Sequence, residues 1–264
     1  MKAEDPRMLD GIEVTLHEQH IALIKIVSEP LGVLRFDVKR ALQAKLAELE
    51  VDPHIRCVVL TGVGNAFSVG SDIKNFSQEV GWLLENDYVE AGLNAAIESS
   101  TLPVIAACNG YTLGGGAVLA LACDIRVACE SATFGFPEVK VGAFASGSGT
   151  QRLPRLVGRG RALDLLMTGR TIDAAEALEI GLVEFVVPDE NLLDKSLQIA
   201  GLIAQNSPSA VSATKECVVT GLRDGFEAGL TAEQRLRVET GVGHDAAEGQ
   251  AAFVEKRQPK FRKE

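Results

Sequence analysis

Pro103-Val104-Ile105-Ala106-Ala107-Cys108-Asn109-Gly110-Tyr111-Thr112-Leu113-Gly114-Gly115-Gly116 is the stretch on which the fold turns. Its first half is a short continuous apolar run, as expected of a strand buried on both faces. Its second half is a turn and a glycine run, followed by an apolar helix over Ala117 to Cys123. A further β-branched run, Ile125-Arg126-Val127-Ala128, then reads as another strand.

The same order stands about 45 residues upstream: Cys57-Val58-Val59-Leu60, a glycine-punctuated loop from Gly62 to Gly70, and a polar helix over about 77–99. Parallel strands joined by right-handed crossovers stack such units. Loops distant in sequence then come side by side on one face. Before the repeats, Ile12 to Leu16 and Ile21 to Val27 read as two strands turning at Glu18-Gln19, and residues 36–49 as an amphipathic helix. Beyond residue 158 the pattern is mostly helical. Asp173-Ala174-Ala175-Glu176 has the form of a capping box, and Val183 to Val187 reads as one more strand. A soft boundary near 200 separates a core (1–200) from a helical region (201–264), which opens at Asn206-Ser207-Pro208.

The totals narrow the function classes. The chain has 264 residues, 46% of them hydrophobic, enough for one large core and an appendage. Its net charge of −10 disfavours a nucleic-acid partner. No apolar run approaches the roughly 20 residues that cross a bilayer. Met1 to Pro6 lacks the basic-then-apolar pattern of a signal peptide, so a cytoplasmic location is expected. The five cysteines are scattered and read as reduced thiols, four of them in core segments. The four histidines are not spaced as metal ligands, and no metal site is expected. Arginines 152, 155, 159 and 161 and the basic residues from Lys256 to Lys263 read either as solvated faces or as landing places for an anionic nucleotide tail.

The chemistry resides in the two glycine loops. Phe67-Ser68-Val69-Gly70-Ser71-Asp72-Ile73 and Leu113-Gly114-Gly115-Gly116 each place glycine beside an expected helix start. Helix N-termini expose unpaired N–H groups, and two amides converging on one oxygen make an oxyanion hole.

These segments resemble the crotonase, or enoyl-CoA hydratase/isomerase, superfamily, and the resemblance runs over nearly the whole chain. Ala66 to Ile73 is similar to that family's A-F-[SCA]-A-G-x-D-[IL] segment, and Pro103 to Asp124 to its P-V-I-A-A-V-N-G…G-G-G…C-D core. Phe134-Gly135-Phe136-Pro137-Glu138, Gly149 to Arg155, Gly169 to Ala177, Gly181-Leu182-Val183 and Phe253 to Arg257 match further stretches.

The resemblance implies an α/β spiral of repeated ββα units with a C-terminal helical trimerisation region, assembled as a homotrimer or hexamer. It implies an acyl-CoA thioester substrate, with coenzyme A as part of the substrate and no separate cofactor. The amides of Ser71 and Gly115 would hold the thioester oxygen as it becomes an enolate. Val69 and Ile73 would contact the adenine end. Phe253 and Lys256 would help seat the nucleotide, a neighbouring subunit being one source of them. Hydratases of the family use two glutamates. The first position is Val118 here, and the second is retained as Glu138.

Glu138, expected among Phe134, Phe136, Val139 and Val141, is therefore the candidate acid/base, and burial would raise its pKa. Val118 and Phe144 suggest an apolar acyl pocket, with Ser146 and Ser148 offering hydroxyls. Tyr111 reads as core. Pro30 to Asp37 departs from the family pattern around the coenzyme A site. One glutamate suits isomerase-type proton transfer between carbons. A hydratase would need a substitute acid, such as Ser146, Glu85, Asp87 or Glu90. A decarboxylase, hydrolase or C–C lyase shares the enolate, and a non-catalytic acyl-CoA binder is the reading from a different class.

Overall fold

The computed structural model describes residues 7–262; the expectations for Met1 to Pro6 and for Lys263 lie outside them. Five strands come first: β1 (Arg7–Leu9), β2 (Ile12–His17), β3 (Ile21–Ile26), β4 (Cys57–Gly62) and β5 (Ala66–Ser68), with helix α1 (Phe36–Val51) between β3 and β4. The middle holds α2 (Val80–Ser99), β6 (Val104–Cys108), β7 (Tyr111–Leu113), α3 (Gly115–Ala122), β8 (Ile125–Cys129) and β9 (Thr133–Gly135). There follow α4 (Gly149–Val157), α5 (Arg159–Thr168), β10 (Thr171–Asp173), α6 (Ala174–Glu179), β11 (Phe185–Val187) and α7 (Leu192–Ala204). Helices α8 (Pro208–Asp224), α9 (Phe226–Gly241) and α10 (His244–Glu255) close the chain.

Two sheets result. The larger runs β1-β2-β3-β4-β6-β8-β11 and is parallel from β3 onward; the smaller runs β10-β9-β7-β5. The pairs β4/β5, β6/β7 and β8/β9 each give one strand to each sheet, so the chain advances as a spiral of ββ units with helices between them. In the small sheet Ala66 pairs with Tyr111, and Tyr111 with Thr133, all parallel. Val58, Val59, Ile105, Ala106 and Val127 are wholly buried, as the continuous apolar runs require. Helices α1 and α7 cover this sheet, α1 through Val38, Leu42, Leu46 and Leu49. Position 200 falls within α7, where Ala200 is wholly buried, and the α8–α9 pair follows. No helix among the described residues is long and apolar enough to cross a membrane.

Several expectations need correction. The first glycine loop leads into a single 3-10 turn, Ile73–Asn75, and Asp72 caps it by accepting from the Lys74 amide. A helix dipole therefore acts only at α3. Asp173 does cap α6 by accepting from Glu176 N, but the Glu176 carboxylate pairs with Arg170 instead of reaching back. The strand expected from Val183 begins at Phe185. Tyr111 is 43% exposed, since it sits at the start of β7 facing outward.

The units are packed backbone on backbone. A methyl group on Gly116 would stand 2.2 Å from the Ser68 carbonyl oxygen. Gly116→Ala is thus expected to destabilise the fold by about 1–3 kcal/mol, read as a lower urea midpoint. Gly160→Ala, with open space around it in α5, should leave the midpoint unchanged or raised.

Candidate active site

The three parallel strands β5, β7 and β9 end on one edge of the small sheet, and each delivers part of a site there. β5 leads to Val69-Gly70-Ser71, β7 to Gly114-Gly115, and β9 to Phe136-Pro137-Glu138. The first two loops touch. A methyl on Gly70, whose φ is +82°, would stand 2.5 Å from Gly115 N. A methyl on Gly115 would stand 3.6 Å from Ser71 N. Gly115 opens α3, where amides have no carbonyl to bond within the helix.

The first loop is fixed from behind. The buried Ser68 hydroxyl donates to Gly32 O at 2.7 Å and accepts from Gly70 N at 3.0 Å. Leu34 N donates to Gly70 O at 2.8 Å, and Val69 N to Leu31 O at 3.2 Å. The 30–37 segment, whose side chains depart from the family pattern, thus positions the loop through its backbone, for which side-chain identity matters little.

Glu138 lies in a 3-10 turn, Pro137–Val141, just past the buried Phe134 and Phe136. Val139 and Val141, expected beside it as core, are exposed. Glu138 Oε1 is 3.5 Å from where a methyl on Gly114 would stand, and Oε2 is buried without a hydrogen-bond partner. Burial raises the pKa of this carboxyl above its ordinary value. Its own backbone amide opposes the shift, and the charge of Glu90 adds to it.

Glu90 is the residue that sequence reasoning placed least well. It was one of three acids on the 77–99 segment, and the structure separates them. Glu85 pairs with Arg40 at the surface, and Asp87 is exposed. Glu90 is buried, and its Oε2 accepts from Lys39 Nζ at 2.7 Å and from Ser71 Oγ at 3.2 Å. Lys39 Nζ also donates to Ser71 Oγ and Asn86 Oδ1, at 2.9 and 3.1 Å. The lone carboxylate expected at the site therefore has a neighbour. A signal existed: Lys39 falls three residues from Phe36 and from Leu42, on the buried stripe of α1, and Glu90 falls on that of α2 with Leu93 and Ile97. Two opposite charges on facing apolar stripes call for each other.

The remaining candidates divide. Val69 is half-buried at the loop contact, and Ile73 is exposed beside it. Val118 is wholly buried and packs toward Gly149 and Ala145. Phe144 is exposed, as are Phe253 and Lys256 on and after α10, which packs on α9. Arg152 is committed to Glu98 and Gly147 O. A cleft of about 410 Å³ reaches Ser71 between Phe36, Trp82 and Asn86.

A carboxyl whose pKa is raised by folding favours the fold below its unfolded pKa, and that contribution is lost as pH rises through the folded value. Glu138→Gln is therefore expected to be more stable than the parent at pH 8. The difference in urea midpoint should shrink as pH falls toward about 4.

The family model described as enoyl-CoA hydratase/isomerase matches residues 17–264. A Bacillus subtilis relative bearing the name "Putative enoyl-CoA hydratase/isomerase YngF" is 40% identical, over 97% of this chain and 99% of its own. The crystal structure of an enoyl-CoA hydratase from Bacillus anthracis superposes with a TM-score of 0.92 at 38% identity, covering 96% of this chain and 100% of that one. Pseudomonas aeruginosa DspI gives 0.92 at 35%, covering 99% and 100%.

Proposed function

The chain belongs to the enoyl-CoA hydratase/isomerase family, and on that premise we propose that it moves a proton at the α-carbon of an acyl-CoA thioester, with Glu138 as the acid/base. The observation that carries this is the buried, unpartnered Glu138 Oε2 beside the Gly70–Gly115 contact. The amides of Ser71 and Gly115 would receive the thioester oxygen. One such donor is worth roughly 10²–10³ in rate. As negative charge develops on that oxygen, the N-terminus of α3 and the buried Lys39 amine behind Ser71 would stabilise it.

The reaction that Glu138 sustains by itself is double-bond migration. Its carboxylate takes a proton from C2 of a 3-enoyl-CoA, the electrons pass to the thioester oxygen, and the same proton returns at C4. A raised pKa suits this traffic, because the protonated form must hold the proton and then release it. Coenzyme A enters as part of the substrate, and the mechanism asks for no other cofactor. Val69, half-buried, and Ile73, exposed, would meet the adenine end.

Phe253 and Lys256 would serve a nucleotide held between subunits. Exposed Val238, Val242, Phe253 and Val254 support self-association, which we propose as a trimer or hexamer. Light scattering after size exclusion measures it. Four buried free thiols fit a reducing compartment, and we place the protein in the cytoplasm.

A 3-enoyl-CoA supplied in D₂O and followed by NMR tests the reaction. We expect migration to the 2-enoyl isomer, and a fall of roughly 10²–10⁴ in its rate for Glu138→Gln. Full activity in that variant would remove Glu138 from the role. Coenzyme A binding without conversion of any thioester would favour a non-catalytic binder, and loss of CO₂ or free CoA release a decarboxylase or hydrolase.

A further inference from the structure

The position that a second glutamate occupies in the family's hydratases is Val118 here, and its side chain is wholly buried. A carboxylate reaches the same glycine loop from another element. Glu90 comes from α2, and its Oε1 is 3.4 Å from where a methyl on Gly115 would stand and 2.7 Å from one on Gly147. Glu138 Oε1 lies in the same relation to Gly114, the next residue along. The two carboxylates thus flank one turn of backbone, the turn that carries the Gly115 amide.

The hydrogen bonds of Glu90 are one-sided. Oε2 takes both Lys39 Nζ and Ser71 Oγ, whereas Oε1 accepts none among the described residues. The side chain keeps a tenth of its exposure while that of Lys39 keeps a hundredth. An ion pair of this kind is a poor device for stability, because desolvating both charges offsets most of their attraction. It is a good device for holding one carboxylate oriented and open on a single oxygen. Lys39 spends its three donors on Ser71, Asn86 and Glu90, and so holds the carboxylate by one oxygen.

We propose that Glu90, held by Lys39, is the second carboxylate of this active site, and that its free Oε1 holds and deprotonates a water that adds to C3 of a 2-enoyl-CoA. The proposal rests on the reading of Ser71, Gly115 and Glu138 given above, and it extends the reaction from double-bond migration to hydration. The step balances. The water oxygen bonds to C3 as its O–H proton passes to Glu90, and the C2–C3 π electrons move toward the thioester oxygen. The enolate then collapses and C2 takes the proton of Glu138. The next water relays the proton from Glu90 to Glu138, and one water is consumed per 3-hydroxyacyl-CoA formed. Glu138 acts as the acid in hydration and as the base in migration, so the two reactions share it but only hydration needs Glu90.

The test compares parent, Glu90→Gln, Glu90→Asp and Glu138→Gln on a 2-enoyl-CoA and a 3-enoyl-CoA, with folding checked by thermal melting. Glu90→Gln keeps the shape and an acceptor for Lys39. It should lose hydration by roughly 10²–10⁴ while still migrating the double bond. Glu90→Asp keeps the charge but withdraws Oε1, and should lose hydration as well; it carries the test if the glutamine variant fails to fold. Hydration by Glu90→Gln at the parent rate overturns the proposal, as does a parent enzyme that migrates the bond and adds no water. Equal loss of both reactions in well-folded Glu90 variants would reduce Glu90 to a structural partner of Ser71, and also overturns it. Glu138→Gln separates the two claims: both reactions surviving in that variant would sink the Glu138 reading whatever Glu90 does.

Discussion

Everything at this site depends on two stretches of backbone being allowed to touch. Gly70 and Gly115 meet at a separation that a single methyl group would close, and Gly116 lies as tightly on Ser68. Such an approach brings the Ser71 and Gly115 amides near one another because no side chain stands between the two loops. It is imposed from below by the parallel pairing of β5, β7 and β9, which sets three loop starts at strand spacing along one edge. It is imposed from behind by the Ser68 hydroxyl and the Leu31–Leu34 backbone. The spiral of ββ units is thus a means of aligning loops that lie far apart in sequence.

Onto this frame the chain adds two carboxylates in unlike surroundings. Glu138 has a buried oxygen with no partner, next to buried phenylalanines, and its charged form is disfavoured. Glu90 is tied by one oxygen to the Lys39 amine and the Ser71 hydroxyl. Neighbouring carboxyls in such unlike surroundings can divide acid and base duties between them. The overall charge of −10 has little bearing on this division, because contacts of a few ångströms in a poorly solvated pocket outweigh a screened surface field.

The sequence revealed what depends on periodicity. The fully buried strands β4, β6 and β8, and helices α1 and α3, stand out as apolar runs or stripes, and the recurrence of strand and glycine loop betrayed the stacking. The three-residue strands β5, β7 and β9 did not stand out, because three side chains carry no alternation, although these strands position the loops. Ser71, Gly115 and Glu138 were legible through motif resemblance. Lys39 and Glu90 were not brought together, since 51 residues separate them and each, taken alone, resembles a charge on a solvated helix face. Only the two stripes read against each other would have shown that both charges point inward.

Val118 and Glu90 belong to one arrangement. The Val118 side chain would press to 2.8 Å on a methyl at Gly149, and Ala145 sits beside it, so this valine is the apolar seat of the 145–149 turn. Asn94 and Arg152 hold the Gly147 carbonyl of that turn at 3.0 and 3.2 Å. Gly147 is thereby brought against Glu90, with the φ of +61° that glycine accepts readily. Placing the acid on α2 gives it Lys39 and Ser71 on one oxygen and leaves the other free. Val118 and Glu90 thus pack against the same 145–149 turn from two different helices, one at Gly149 and the other at Gly147.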